Sequence, residues 1–164
     1  MAAVRIPPQP GQESVWDYPR PPRVEPVPER LRVVLDGVTV ADTTSGVRVL
    51  ETSHPPVYYV PLADTAPGAL EATGRTTFCE FKGFASYYTV RGGARVEGGA
   101  AWGYPSPAPG YEALTDTVAF YCARMDECWV GDEQAEPQPG GFYGGWVTSS
   151  VVGPFKGVPG STGW

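Results

Sequence analysis

The sequence predicts an all-β fold with compact, mostly antiparallel sheets. Short β-branched and aromatic runs recur at short spacing, turn signals separate them, and no long segment has a helical period. The 21 glycines and 19 prolines would suit a disordered chain, but the 5 tryptophans, 9 tyrosines and 6 phenylalanines require burial in a folded core. We therefore expect one folded unit that carries extended arms.

Three parts are predicted along the chain: a proline-rich arm over residues 1–30, a β domain over 31–136, and a glycine- and aromatic-rich arm over 137–164 packed on the domain. Proline fixes φ and biases its predecessor away from helix, so "YPRPPRVEPVPER" should be extended. Trp16 and Tyr18 indicate that part of the first arm docks, either on its own domain or on a second subunit; the alternative is a mobile tail. If the arm docks on a second subunit, the two chains form a homodimer.

The first strands follow from local signals. Asp36-Gly37 lies between "LRVVL" and "VTVADT", which is the strongest short-range signal for a hairpin. "GVRVLET" is predicted as a third strand, and "VYYVP" as a fourth that ends at Pro61. "LADTAPGALEAT" has room for one helical turn before Pro67-Gly68 interrupts it.

Further strands are predicted in the second half. "TTFCEF" and "FASYYTV" form a pair joined across Lys82-Gly83, and "GGARVEGGAAW" is a glycine-rich turn with a short strand. Residues 117–121 are β-branched and aromatic, which favours a strand over a helix. "CWVGDEQAE" indicates another hairpin.

Charge and composition exclude several function classes. The net charge is −6 and the basic residues are dispersed, so we expect no nucleic-acid partner, because such binding neutralises several phosphates together. The sequence has no run of 18 apolar residues and no apolar stretch of the secretory kind near its start. We therefore expect no membrane association and a cytoplasmic location.

The cysteines predict neither a disulfide framework nor a metal site. They are three in number, and five residues separate Cys122 from Cys128, where zinc ligands are usually separated by two to four. A four-ligand site would require Cys79 and His54 to converge on the same point. We expect no metal and no cofactor.

Five strings in this order resemble a bacterial and fungal family catalogued as domain of unknown function 427: "VWDYPRPPRVEP", "VLETSHPPVYYVP", "CEFKGFASYYTV", "AWGYPSP" and "VAFYCARMDE". The similarity spans roughly residues 16–135, and the glycine-rich tail is similar to the extension of an actinobacterial-type branch. The resemblance implies a compact, mainly antiparallel β domain of a tent-like kind. It implies no established activity.

Members of that family are sometimes labelled nucleotidyltransferases, and this label is testable in the sequence. Such enzymes place a Gly-Ser turn ahead of closely spaced carboxylates that hold magnesium. The one Gly-Ser of this chain, Gly160-Ser161, is followed by Thr162-Gly163-Trp164. The sequence therefore does not support nucleotidyltransferase activity.

Lys82 and Lys156 are the only lysines, and each stands between a phenylalanine and a glycine. Glycine there permits a positive φ or the close approach of a ligand, while phenylalanine anchors the turn in the core. If both lysines converge on one cleft, they form a receptor for an anionic group such as a carboxylate or phosphate. The alternative is two exposed turn lysines.

Four further residues are candidates for a site. His54, the sole histidine, is a candidate general acid or base. Cys79 is a candidate nucleophile, because an ammonium group nearby would activate its thiol, and core burial is the alternative reading. Trp102 and Tyr88 are candidates for an aromatic wall; of Tyr87 and Tyr88 only one can face the core, because side chains alternate along a strand.

The leading functional hypothesis is a small-molecule-binding β domain whose aromatic pocket recognises a polar or anionic ligand. The predicted pocket residues are His54, Lys82, Tyr88, Trp102 and Lys156. One alternative is an enzyme that uses His54 with Cys79 or Lys82 in acid–base or nucleophilic chemistry. Another is a structural or protein-interaction domain without a ligand.

Overall fold

The computed structural model describes residues 3–164, and it confirms the predicted all-β fold. Within that range the helical segments are four 3₁₀ turns of three residues each: Val15–Asp17, Leu62–Asp64, Glu112–Leu114 and Cys122–Arg124. None of the described helical segments is long and apolar enough to cross a membrane.

Over residues 3–164, fifteen strands make up the rest of the regular structure. In chain order they are β1 (Glu13–Ser14), β2 (Arg23–Pro26), β3 (Leu31–Leu35), β4 (Val38–Thr43), β5 (Val47–Leu50), β6 (Val57–Pro61), β7 (Leu70–Cys79), β8 (Gly83–Gly92), β9 (Arg95–Gly103), β10 (Thr117–Phe120), β11 (Glu127–Val130), β12 (Glu133–Gln134), β13 (Glu136–Pro137), β14 (Trp146–Val147) and β15 (Val151–Val152).

These strands form two main sheets. The larger has seven strands in the order β2-β5-β6-β10-β9-β8-β7, and the smaller has four in the order β12-β11-β3-β4. All neighbours in both sheets are antiparallel. Two short pairs complete the fold: β13 with β14, which is antiparallel, and β1 with β15, which is parallel.

Local signals located the β3–β4 hairpin and the end of β6 correctly. The β3–β4 hairpin turns at Asp36 and Gly37, whose φ angles are 48° and 74°, because a two-residue turn of this kind needs positive φ at both positions. β6 ends at Pro61, and the single predicted turn follows at Leu62–Asp64.

The β7–β8–β9 meander is longer than its sequence predicts. The ladder between β7 and β8 changes register between Ala72 and Thr76, and Gly74 lies in that interval with a φ of 80°. Such a bulge accommodates extra residues without ending the pairing. β7 therefore runs for ten residues and β9 for nine.

Side-chain alternation places hydrophobic cores on both faces of the seven-stranded sheet. Tyr58 and Val60 of β6 pack into a cluster shared with β3, β4 and β11 of the smaller sheet, whereas Tyr59 packs into a second cluster. Trp102 and Tyr104 belong to that second cluster. The candidate site lies on this second face, and the second cluster includes no residue of the smaller sheet.

The proline-rich and glycine-rich ends meet each other. β1 pairs with β15, and Trp16 Nε1 donates a hydrogen bond to the Pro154 carbonyl at 2.9 Å. The Trp16 and Trp164 rings pack edge to face with centroids 5.2 Å apart. The division of the chain into a domain and two arms stays a prediction.

Candidate functional site

A cavity of about 300 Å³ opens on the second face of the larger sheet. Four of the predicted site residues line it: His54, Lys82, Trp102 and Lys156. They come from distant parts of the chain, namely the loop before β6, the β7–β8 turn, β9 and the segment after β15. The folded chain therefore brings both lysines and the sole histidine to one space.

Two predicted residues do not line this cavity. Tyr88 packs against the core between the two sheets, and its neighbour Tyr87 lines the cavity instead, as alternation along β8 requires. Cys79 packs against the aromatic cluster and lines an adjoining cavity. Its thiol is therefore not part of the space that holds His54.

Each lysine owes its position to the glycine that follows. Gly83 has a φ of 101° and Gly157 a φ of 114°, which side chains with a Cβ rarely adopt. At Gly157 an added Cβ would lie 1.9 Å from the carbonyl oxygen of Pro139, so only glycine fits beneath that segment. The repeated Phe-Lys-Gly triplet is in both places a turn that presents a lysine.

The two ammonium groups lie against aromatic rings. Lys82 Nζ is 5.6 Å from the centroid of the Tyr104 ring, and Lys156 Nζ is 5.7 Å from that of Tyr143. Lys156 Nζ also donates to the Trp164 carbonyl at 3.0 Å. Within residues 3–164 neither lysine forms an ion pair with a side-chain carboxylate. The Lys82 ammonium group is thus available to an incoming anion, and Lys156 Nζ keeps two of its three N–H donors besides the one that Trp164 accepts.

The loop that carries His54 is held from two sides. Ser53 has a φ of 72° and is fully buried; its N–H donates to the Val15 carbonyl at 3.0 Å, and its own carbonyl accepts from the Lys156 N–H at 2.9 Å. These bonds tie the His54 loop to the segment that carries Lys156. The relative placement of histidine and lysine is fixed by backbone contacts.

Gln138 sets the tautomer of His54. Its Oε1 accepts from the Gly145 N–H at 3.0 Å and its Nε2 donates to the Lys156 carbonyl at 2.9 Å, which fixes the orientation of the amide. The same Nε2 lies 3.0 Å from His54 Nδ1. Since an amide NH₂ only donates, Nδ1 must accept, and the imidazole proton resides on Nε2.

The environment of His54 keeps the ring neutral. Burial lowers the pKa of His54 to about 4, and the nearby positive charges of Lys156, Arg20 and Lys82 act in the same direction, while Glu51 opposes them. Protonation of Nδ1 would also set an N–H against the NH₂ group of Gln138. At neutral pH His54 is therefore a hydrogen-bond donor through Nε2.

Glu51 is the carboxylate of the cavity wall. Its Oε2 is 3.7 Å from His54 Nε2 and 3.2 Å from Arg20 Nη2. The guanidinium of Arg20 therefore offsets the Glu51 charge. The lining retains the positive character of the two lysines.

Aromatic rings form the remaining wall. The rings of Trp102 and Tyr121 have centroids 4.5 Å apart, and those of Tyr59 and Trp102 are 6.4 Å apart. Burial raises the pKa of Tyr59, so its phenol stays protonated. Gly144 packs over Trp102, where an added Cβ would be 2.0 Å from Cη2 of the indole.

The sequence pattern did not identify Gln138 and Gly144 as residues of the site. Both lie in a glycine-rich segment whose local pattern indicates only an extended arm, yet Gln138 is 2% exposed and forms three hydrogen bonds in the site. A buried glutamine has no local sequence signal, because its partners are distant in the chain.

A family model described as a domain of unknown function (DUF427) matches residues 23–131. No curated protein matches the chain. The matched range includes His54, Lys82 and Trp102, and it ends before Gln138 and Lys156. One side of the cavity is therefore contributed by residues outside the matched range.

Proposed function

The chain belongs to the DUF427 family, a family described without an activity, and we propose from the cavity's chemistry that this domain binds a small anionic molecule. The observation that carries the proposal is the presence of two ammonium groups, neither paired with a described side-chain carboxylate, in one aromatic-walled space. A carboxylate or phosphate is the natural counter-charge for such a pair.

The other polar groups of the cavity support the same proposal. The neutral His54 ring presents an Nε2–H donor, and Lys82 and Lys156 present ammonium donors. An anion offers only acceptors, so its oxygens match this set of donors. The aromatic walls suit a ligand with a planar or ring-shaped part.

The state of His54 favours binding over acid–base catalysis. Its one lone pair is occupied by Gln138, and its low pKa makes the ring a weak base at neutral pH. Cys79 lines the adjoining cavity and not the cavity of His54. The Cys79–His54 pair of the enzyme alternative therefore finds no support in this geometry, whereas Lys82 does line the cavity of His54.

The proposal is tested by calorimetric titration with benzoate and phenyl phosphate. We expect wild-type binding, and a loss of about tenfold or more in affinity for each of Lys82→Met and Lys156→Met, since a hydrogen bond to a charged group contributes about 1.5–3 kcal/mol. Arg32→Met is the matched control, because its guanidinium lies over the Trp129 ring, outside the cavity. No binding by the wild type, or an equal loss in the control, would overturn the proposal.

A further inference from the structure

A second, larger cavity adjoins the one that holds the lysines. Its volume is about 660 Å³, and it shares six lining residues with the first cavity: Tyr87, Tyr104, Tyr121, Gln138, Phe142 and Tyr143. The two spaces meet along this shared wall. A ligand anchored in the first has room to extend into the second.

The second cavity is bordered by phenylalanines that face solvent. Phe142 is 75% exposed and Phe78 is 66% exposed. Phe78 also packs on Phe84, which is 63% exposed, with ring centroids 5.0 Å apart. Exposed aromatic surface of this extent at a cavity mouth is typical of a binding surface.

Arg75 supplies a third free cation at this second cavity. Its Cζ is 4.5 Å from the centroid of the Tyr87 ring. Among the described residues five basic side chains form no ion pair with a side-chain carboxylate, and each lies over an aromatic ring: Arg5, Arg32, Arg75, Lys82 and Lys156. Three of these five line the two adjoining cavities. The concentration of free cations here matches an anionic ligand with an aromatic part.

We propose that the ligand is an elongated aryl acid that spans both cavities. Its anionic group lies near Lys82 and Lys156, and its aromatic tail extends past Tyr87 to the space between Phe142 and Arg75. A guanidinium over an aromatic face attracts it, which favours an aryl tail over an alkyl tail. This inference rests on the proposed function and adds the class of ligand to it.

The test is a series of acids of increasing reach, measured by calorimetry at fixed salt. The carboxylate series is benzoate, 3-phenylpropionate and 5-phenylvalerate. The phosphate series is phenyl phosphate and 3-phenylpropyl phosphate. We expect affinity to increase at least tenfold from benzoate to 5-phenylvalerate. The series that binds with the higher affinity, at equal distance between the anionic group and the ring, identifies the anionic headgroup.

Substitutions at two exposed positions distinguish binding of the aromatic tail from binding of the anionic head. Phe78→Ala and Arg75→Gln, at residues that line only the second cavity, should reduce the affinity for 5-phenylvalerate to near that for benzoate, and should leave benzoate binding unchanged. Val96→Ala, at an exposed apolar residue outside both cavities, is the control and should alter neither. Both substituted side chains are exposed, so the variants should fold.

The outcomes distinguish this inference from the proposed function. Benzoate binding with no dependence on acid length, or a length dependence that survives both substitutions, would overturn the aryl-acid inference alone. Failure of every acid to bind would overturn the proposed function and this inference with it.

Discussion

At the residue scale, Gln138 and His54 act as one unit. Gln138 donates to Nδ1 of the imidazole and to the Lys156 carbonyl, so a single buried amide joins the histidine to the segment of one lysine. The result is a neutral ring whose Nε2–H points away from the glutamine. A buried, uncharged donor suits recognition of an anion, because it adds no desolvation cost of its own charge.

The low pKa of His54 has a consequence for stability. The pKa is about 4 in the folded chain against an ordinary value of 6.5, so the unfolded chain binds the proton first as pH falls. This contribution to stability is present above pH 6.5 and is lost as pH falls toward 4. Between pH 7.5 and pH 5 we expect His54 to reduce the free energy of unfolding by about 2 kcal/mol.

Urea denaturation of the wild type and His54→Asn at a series of pH values measures this effect. Subtracting one stability–pH curve from the other removes the contribution of the carboxylates, which both proteins contain. We expect the stability advantage of the wild type to fall by about 2 kcal/mol across that interval. Parallel pH profiles would show that His54 titrates normally in the folded chain.

At the element scale, the segment from β13 to the second Phe-Lys-Gly turn forms one wall of the site. Gly157 lies directly against Pro139, and Gly144 directly against the ring of Trp102. These close approaches need glycine for lack of space, and not only for flexibility. The glycine content of this segment therefore reflects packing against the sheet.

Gly157→Ala tests the close approach to Pro139. The new Cβ would be 1.9 Å from a backbone oxygen and the φ is 114°, so we expect a loss of about 3 kcal/mol or more in the free energy of unfolding. Gly160→Ala is the matched control, since its φ is 82° but the space around it is open, and its cost should be about 1 kcal/mol. Equal costs in chemical denaturation would mean that Pro139 and Gly157 are not in contact.

Elements that are determined by their own residues were predictable from the sequence. Elements whose length depends on pairing with another strand were not. Asp36-Gly37 has the composition of its turn, so the β3–β4 hairpin follows from four or five neighbouring residues. The length of β7 depends on a bulge at residues 72–76, and only its pairing with β8 determines that bulge. The short predicted strands in this meander were wrong in length for that reason.

At the scale of the whole molecule, the site forms where segments that are distant in the chain come together. His54 and Gln138 are 84 residues apart, and the two lysines come from the β7–β8 turn and from the segment after β15. The sequence indicated which residue types were unusual, namely the single histidine and the two lysines. It did not indicate Gln138, nor that Tyr87 lines the cavity in place of Tyr88, because the phase of β8 relative to the core is a property of the folded sheet.

The most direct test of the shared anion cavity uses the only histidine as its reporter. In a benzoate titration at pH 7, the proton NMR signal of the His54 ring should shift and saturate with the same dissociation constant that calorimetry gives. The shift should be lost when Lys82→Met and Lys156→Met are combined. Calorimetric binding that leaves the His54 signal unmoved, or a full shift in the double variant, would contradict an anion site formed by the histidine and both lysines.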